Sequence, residues 1–549
     1  MSRPRLRPGW LGRPGWAAIA VSAAVLAVAP VAMLAASVLR PDTGMWRQQW
    51  RTRLPGQLVD TVVLLAGVVT VATLLGVGLA WLVAAHRFPG RRVLSWALVL
   101  PLAVPGYILG FVVTAVLGVA GPVQGWWRDR FGRDAWFPEV DSMPFAIAVL
   151  ALTLYPYVYL LARAALRDQA AAAFGAARSL GASRREAARR VALPLLRPAI
   201  AGGAAVVAME TLTDFGTVQY FGVDTVTVGL FRLWRGSYDR DAAAELATLV
   251  LVFALLAISL ERVLRGRARF GEAAGRGEGI APYRLTGWRA PVATLAGLAI
   301  VALGFGAPTL RLATWAIAEQ RGDRGTPLLD SYGEFLGNSA VLMGVTVGVC
   351  VVVAVLVANA KRFGGRRLVA AASRLSVVGY AVPGPVVGMG VLLVLVGLDD
   401  ALEVGLGNGL PGIVATGSFL ALAYAYAVRF LAPALGPVEA GLQQVPDDVT
   451  ASARTLGASP VEVVARVHLP LSRASVFTAA LLVGVDALKE LPVAYLLRPV
   501  GFDTLPVWVY NLASESRFEQ AALPAVMIVA VALLPVAVLS RHLDDRTAR

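Results

Sequence analysis

One cysteine, three histidines and two lysines among 549 residues leave little material for several kinds of chemistry. Cys350 alone makes no disulfide framework. His86, His468 and His542 are scattered over separate polar loops, so no metal-ligand spacing arises and no metal site is assigned. A phosphate-binding loop needs Gly-x-x-x-x-Gly-Lys-Ser/Thr; neither Lys361, after Asn359-Ala360, nor Lys489, after Ala487-Leu488, stands in one. Charge is scarce as well. Charged residues make up 15% of the chain against 57% hydrophobic ones, and the mean hydropathy is +0.67, which excludes an ordinary soluble domain. The net charge of +15 does not point to nucleic acid, because basic stripes interleaved with aromatics are lacking. No His/Cys/Ser constellation converges in the apolar segments, so catalysis by this chain is not expected.

What is abundant is apolar length. Hydropathy predicts an all-α polytopic membrane protein with about twelve spans. They fall near 16–39, 58–85, 93–119, 142–165, 198–221 and 241–262, then 290–311, 335–360, 368–397, 411–434, 475–497 and 519–540. The first run is longer than a cleavable signal's apolar core and reads as a retained helix. With both termini in the cytosol, Lys and Arg are about twice as frequent in the inner loops as in the outer ones, the expected bias.

One polar phrase occurs twice. Residues 177–194 read A-R-S-L-G-A-S-R-R-E-A-A-R-R-V-A-L-P, and residues 453–470 read A-R-T-L-G-A-S-P-V-E-V-V-A-R-V-H-L-P. Gly181, Val191, Leu193 and Pro194 recur 276 residues later as Gly457, Val467, Leu469 and Pro470. Each copy reads as a short helix, a Gly/Ser break and a second, amphipathic helix ended by the proline. Both copies fall on the cytosolic side, where a basic loop could lie against headgroups or plug a groove on a soluble partner; the repeat favours docking.

Other matches follow in the same order. Residues 87–92 (R-F-P-G-R-R) match 362–367 (R-F-G-G-R-R), Ala103-Val104-Pro105-Gly106 matches Ala381-Val382-Pro383-Gly384, Tyr155-Pro156-Tyr157 matches Tyr424-Ala425-Tyr426, and Asp224-Thr225-Val226 matches Asp503-Thr504-Leu505. The Gly/Arg/Glu-rich stretch 265–279 reads as a linker. The expected division is a tail and first helix (1–54), a first transmembrane domain (55–263), a linker with the seventh helix (264–333), a second domain (334–541) and a tail (542–549). Equal, even numbers of spans make the two halves parallel, with a pathway expected between them.

Charge inside spans is costly and usually functional. Glu210 and Asp214 stand in M-E-T-L-T-D-F-G, and Asp486, Lys489 and Glu490 at the matching place in V-D-A-L-K-E-L-P. Each i,i+4 carboxylate pair is expected on one face of a helix. With Tyr155, Tyr157, Tyr424 and Tyr426 nearby, these oxygens would suit a hard cation passing through. Alternatively the acids cap helices, pair with Lys489, Arg429 or Arg232, or join the halves.

The duplicated phrase resembles the cytoplasmic EAA loop of ABC importer permeases, which ends in G-x9-I-x-L-P. The resemblance implies the type I importer transmembrane fold and docking onto two copies of a separate ATPase subunit, which bind the ATP and Mg. No cofactor is expected in this chain. The glutamate that the family carries six residues before the glycine is replaced by Gly175 and Ala451, which puts any salt bridge from that position in doubt. The stretches E-T-L-T-D-F-G-T-V-Q-Y-F-G-V and K-E-L-P-V-A-Y-L-L-R-P-V-G-F-D-T-L are similar to single-chain, two-domain ferric-iron permeases. That likeness spans nearly all of residues 55–540. It implies a bacterial cytoplasmic-membrane location and an extracytoplasmic binding protein that delivers Fe(III). Thiamine and polyamine importers share the fold and the loop. A secondary transporter would also suit twelve spans, with Glu210, Asp214 or Asp486 coupled to an ion, but has no use for a duplicated docking phrase.

Overall fold

The computed structural model describes residues 13–37, 43–168, 170–236, 240–265, 282–321, 328–364, 366–406 and 415–545. The expected linker lies outside the described residues from residue 266 on, as do the first twelve and last four residues. The described chain is almost wholly helical. Among the described residues eleven helices are long and apolar enough to cross a membrane, and up to twelve if the pair Pro460–Leu471 and Arg473–Lys489, bent by 80°, is one span. An all-α polytopic fold is what the long apolar runs require, since backbone polar groups in lipid must be satisfied within the helix.

The chain divides into two compact units that do not follow its linear halves. One unit gathers the first helix, Arg13–Ser37, residues 240–248 and residues 328–507. In it the first helix packs on the second half of the sequence. Trp16 is 1% exposed and its ring lies 5.3 Å from that of Phe363. The Tyr424 hydroxyl donates to the Leu26 carbonyl at 2.6 Å.

The other unit gathers residues 43–236, residues 249–321 and the last helix, Phe518–Asp545. Here the helix Leu54–Ala85 packs along Met143–Asp168, with Gly76 against Val158 and the backbone of Tyr155. Gly203, on Leu193–Thr213, meets the backbone of Val158 from another side. Without hydrophobic driving force in lipid, such close backbone approaches supply the packing.

Four expected spans are interrupted, at equivalent places in the two units. The spans drawn at 93–119 and 368–397 each break before Gly106–Leu117 and Gly384–Leu406. Val104 and Val382 sit extended, at ψ 109° and 133°, because a following proline disfavours the helical region. Ala103-Val104-Pro105-Gly106 and its match are therefore hinges, not helix interiors. The spans at 198–221 and 475–497 stop at Thr213 and Lys489, and short helices Gly216–Tyr220 and Pro492–Leu497 follow.

Equivalent latches tie these parts down. The Val226 N–H donates to the Thr61 hydroxyl at 3.0 Å, and the Leu505 N–H donates to the Ser339 hydroxyl at 2.8 Å. Both donors start the helix that follows the Asp-Thr match. Beside each latch an arginine pairs with the aspartate, Arg232 with Asp224 and Arg498 with Asp503.

Candidate functional site

The repeated phrase folds the same way twice. In the first copy Ala170–Ser179 ends at Gly181, and Ser183 then caps Arg184–Ala187 by accepting the Glu186 N–H at 3.2 Å. In the second, Asp447–Thr455 ends at Gly457, and Ser459 and Glu462 cap Pro460–Val463 reciprocally at 3.3 and 2.8 Å. Gly181 and Gly457 adopt φ of +93° and +91°, a region costing other residues about 1–2 kcal/mol. Each glycine is held by equivalent bonds. The Ala182 and Ala458 N–H groups reach back to Ala177 and Ala453 at 3.0 and 3.1 Å. The Arg178 and Arg454 guanidiniums donate to the Ala182 and Ala458 carbonyls at 2.7 and 3.3 Å.

A single π-turn follows in both copies, Ala188–Ala192 and Val464–His468. The prolines do not end the second helix, as the sequence reading expects. Pro194 sits in the first turn of the spanning helix Leu193–Thr213, where its missing N–H costs nothing. Pro470 lies in Leu469–Leu471, and the bend comes at Ser472. The motif thus has two ends with two jobs. Gly181 and Gly457 form exposed tips, and at Gly181 there is open space around the position of a Cβ. Val191, Leu193, Pro194, Val467, Leu469 and Pro470 form the joint to the apolar helix.

Sequence reasoning missed Leu180 and Leu456, which immediately precede the glycines and are 88% and 89% exposed. A large apolar side chain held out at the same point of both copies suits a contact surface. The signal was their identity in the two copies, in a phrase otherwise polar.

The second copy is anchored by His468, which is 1% exposed. Its ring nitrogens meet Asn359 Oδ1 at 2.5 Å and Thr450 Oγ1 at 2.9 Å, and its ring stacks on Phe363 with centroids 5.9 Å apart. Arg362 donates to the Leu442 and Val445 carbonyls at 2.8 and 2.5 Å. Burial, helped by the Arg362 charge, pushes the His468 pKa down to about 4. In the first copy Arg184 lies 4.6 Å over the ring of Tyr283, and Tyr283–Arg284 pairs with His86–Arg87 as a short parallel bridge.

The intramembrane acids take a different arrangement from the one expected. Glu210 and Asp214 do not share a helix face, nor do Asp486 and Glu490, because Asp214 and Glu490 lie in the breaks, at ψ 124° and 114°. Each turns its carboxylate onto the next short helix. Asp214 accepts the Thr217 N–H at 2.9 Å, the Val218 N–H at 3.3 Å and the Thr217 hydroxyl at 2.6 Å. Glu490 accepts the Val493 N–H at 3.2 Å and Arg429 Nε at 3.0 Å, in a pair whose side chains are 7% and 9% exposed. The capping and pairing alternative therefore describes both residues. Lys489 pairs with Asp486 at 2.9 Å, and Glu210 is half-buried on its helix.

The tyrosines also serve the backbone. Tyr155 donates to the Leu98 carbonyl at 2.7 Å, and Tyr426 to the Glu490 carbonyl at 3.2 Å. The Tyr-x-Tyr match thus does not carry into three dimensions: Tyr155 and Tyr424 hold unrelated segments, and Tyr157 is half-buried beside Pro156. Among the described residues no three His, Cys, Asp or Glu side chains group so as to hold a metal ion.

Two loops built on one backbone plan and two equivalent helix breaks describe a duplicated membrane subunit, and comparison with known families agrees. Residues 72–269 and 338–549 both match the model of the binding-protein-dependent transport system inner membrane component. The chain belongs to that family. The permease is 25% identical over 503 residues to the Fe(3+)-transport system permease protein FbpB 2 of Haemophilus influenzae, covering 90% of this chain and 91% of that one. It is 29% identical over 244 residues to the sulfate transport system permease protein CysT of Salmonella typhimurium, covering 43% of the permease and 86% of CysT. It is 27% identical over 207 residues to the molybdenum transport system permease protein ModB of Escherichia coli, covering 37% and 88%. The type I importer fold thus occurs twice in the permease, a multi-pass membrane protein of an ABC importer family. Its relatives are transport subunits, and the family's mode of transport implies ATPase and binding-protein partners.

Proposed function

We propose that the permease forms the translocation path of an ATP-driven importer for ferric iron. A binding protein outside the cell delivers the cargo, and two copies of a separate ATPase subunit, which hold the ATP and Mg, dock on the two cytosolic elements. Both termini are then cytosolic. The observation that carries this reading is the twin geometry of the docking elements: the same left-handed glycine, the same exposed leucine and the same capped second helix. Two equal plugs suit two equal sockets. Iron is favoured as cargo because the ferric permease aligns over 90% of the chain, across both halves. The half-length likeness to sulfate and molybdenum permeases supports a second reading, an oxyanion cargo. In either case the breaks at Asp214 and Glu490 border the path. There the two carboxylates hold the shape of the break, Asp214 with Glu210 before it in one unit and Glu490 with Asp486 and Lys489 before it in the other, while Tyr155 and Tyr426 stay buried on backbone carbonyls.

The test is uptake of radioactive Fe(III) into proteoliposomes holding the permease, its ATPase and its binding protein. Uptake should need ATP and should vanish in the Gly181→Asp/Gly457→Asp double variant, which stays monodisperse in detergent. Unchanged uptake in that variant, or uptake driven by an ion gradient without the ATPase, would refute the reading. Sulfate or molybdate uptake in place of iron would leave the importer standing and overturn the cargo.

A further inference from the structure

A cavity of about 660 Å³ opens in the unit built on residues 43–236, away from the docking element. Its wall is made by Arg311, Trp315 and Glu319 on the helix Ala307–Arg321, and by Arg517, Phe518 and Glu519 at the start of the last helix. Three observations say what it would hold. First, the Arg311 guanidinium lies 4.5 Å over the buried Trp315 ring, and its Nε is buried without a hydrogen-bond acceptor. A desolvated donor of that kind calls for an acceptor from outside the chain. Second, the lining carries charge of both signs, two arginines and two glutamates. A simple anion would meet the carboxylates, whereas a ligand with separated positive and negative ends satisfies both.

Third, the position is that of a headgroup layer. The span Arg289–Arg321 starts beside Tyr283, which touches Arg184 of the first docking element. At 1.5 Å per residue, Arg311 stands about 33 Å along the span, just past the roughly 30 Å hydrocarbon thickness, and Glu319 about 12 Å further out. On the same helix Leu310 and Ile317 are 67% and 51% exposed. Their stripe lies about 100° round the helix from the cavity-lining stripe of Arg311, Trp315 and Ala318. The exposed apolar stripe therefore flanks the cavity wall on the side of Arg311 and Ala318, away from Glu319. Trp315 and Phe518, stacked at 6.3 Å, sit where interfacial aromatics are favoured.

We propose that this cavity binds the headgroup of a zwitterionic phospholipid with a primary ammonium, of the ethanolamine type. The phosphate accepts from Arg311 and Arg517, the ammonium donates to Glu319 or Glu519, and the acyl chains lie along Leu310 and Ile317. A choline head carries the same charges but no N–H donor, and a glycerol head has no cation, so neither satisfies the carboxylates.

The experiment is native mass spectrometry of the full chain released from nanodiscs holding equal parts of phosphatidylethanolamine, phosphatidylcholine and phosphatidylglycerol. Phosphatidylethanolamine adducts should survive about tenfold over the other two, the worth of one charge-assisted hydrogen bond. Arg311→Gln and, separately, Glu319→Gln should each level the three lipids. Should Arg311→Gln not fold, Glu319→Gln and Trp315→Phe carry the test. Equal retention by the wild type, a preference for phosphatidylglycerol, or an ethanolamine preference unchanged in the variants that fold would overturn the proposal.

Discussion

The equivalent acids at the two helix breaks predict unequal costs when their charge is removed. Glu490 faces a buried arginine at 3.0 Å, whereas Asp214 is capped by two N–H groups and one hydroxyl. Glu490→Gln keeps an acceptor for Val493 but takes the carboxylate away from Arg429. Breaking a buried pair in this way costs about 3–5 kcal/mol. Units of this size shift their midpoint by about 2–4 °C per kcal/mol, so unfolding should come about 6–20 °C earlier. Asp214→Asn keeps an acceptor for the two N–H groups and an amide that can donate to the Thr217 hydroxyl. It loses about 1 kcal/mol, or about 2–4 °C. Arg429→Met combined with Glu490→Gln removes both charges and should recover most of the loss, since burying neutral groups avoids the desolvation penalty. The assay is thermal unfolding of the detergent-solubilised chain, followed by intrinsic fluorescence and by size-exclusion profile. Equal shifts for the two single variants, or a double variant no better than Glu490→Gln, would refute the reasoning.

Leu180→Asp and Leu456→Asp should each leave the stability within about 0.5 kcal/mol of wild type, as exposed sites do, while capture of the ATPase subunit by the permease falls at least tenfold in the double variant. Undiminished capture would remove the two leucines from the docking surface. His468 makes the second docking element sensitive to acid. Its folded pKa is held below the unfolded value near 6.5, so the folded state binds fewer protons and the stabilisation, full above pH 6.5, is lost as pH falls toward about 4. The difference in midpoint between wild type and His468→Gln should therefore shrink from pH 7 to pH 4, and a difference independent of pH would count against a buried neutral imidazole.

Much of this architecture is written openly in the chain. The apolar runs are long enough to name each spanning segment, and a 276-residue offset is visible to the eye. The breaks were harder to read, because a hydropathy window averages over them and Val104 and Val382 stay apolar as they leave the helix. The proline after each valine was the local cue. At Asp214 no proline marks the break, and the cause is a side chain folding forward onto Thr217. Acids four apart imply one helix face only while the helix lasts, and here it ends just short of the second acid. The docking glycines were legible from spacing. Leu180 and Leu456 were not, since one more leucine in so apolar a chain draws no notice until its exposure is measured.

The seating of the first helix on the second half also bears on how the protein is made. Trp16 packs against Phe363, and at roughly 5–20 residues per second the ribosome takes roughly 20–70 s to travel from one to the other. Through that interval the first helix sits in the bilayer without its partner, with Trp16 and Leu34 facing lipid. The nascent chain must therefore keep that helix unattached while the Leu54–Ala85 and Met143–Asp168 layers form beside it. A ribosome that stalled after residue 265 would leave behind one unit short of both Arg289–Arg321 and its last helix, beside a stray first helix from the other, which is the state a membrane quality-control protease would meet.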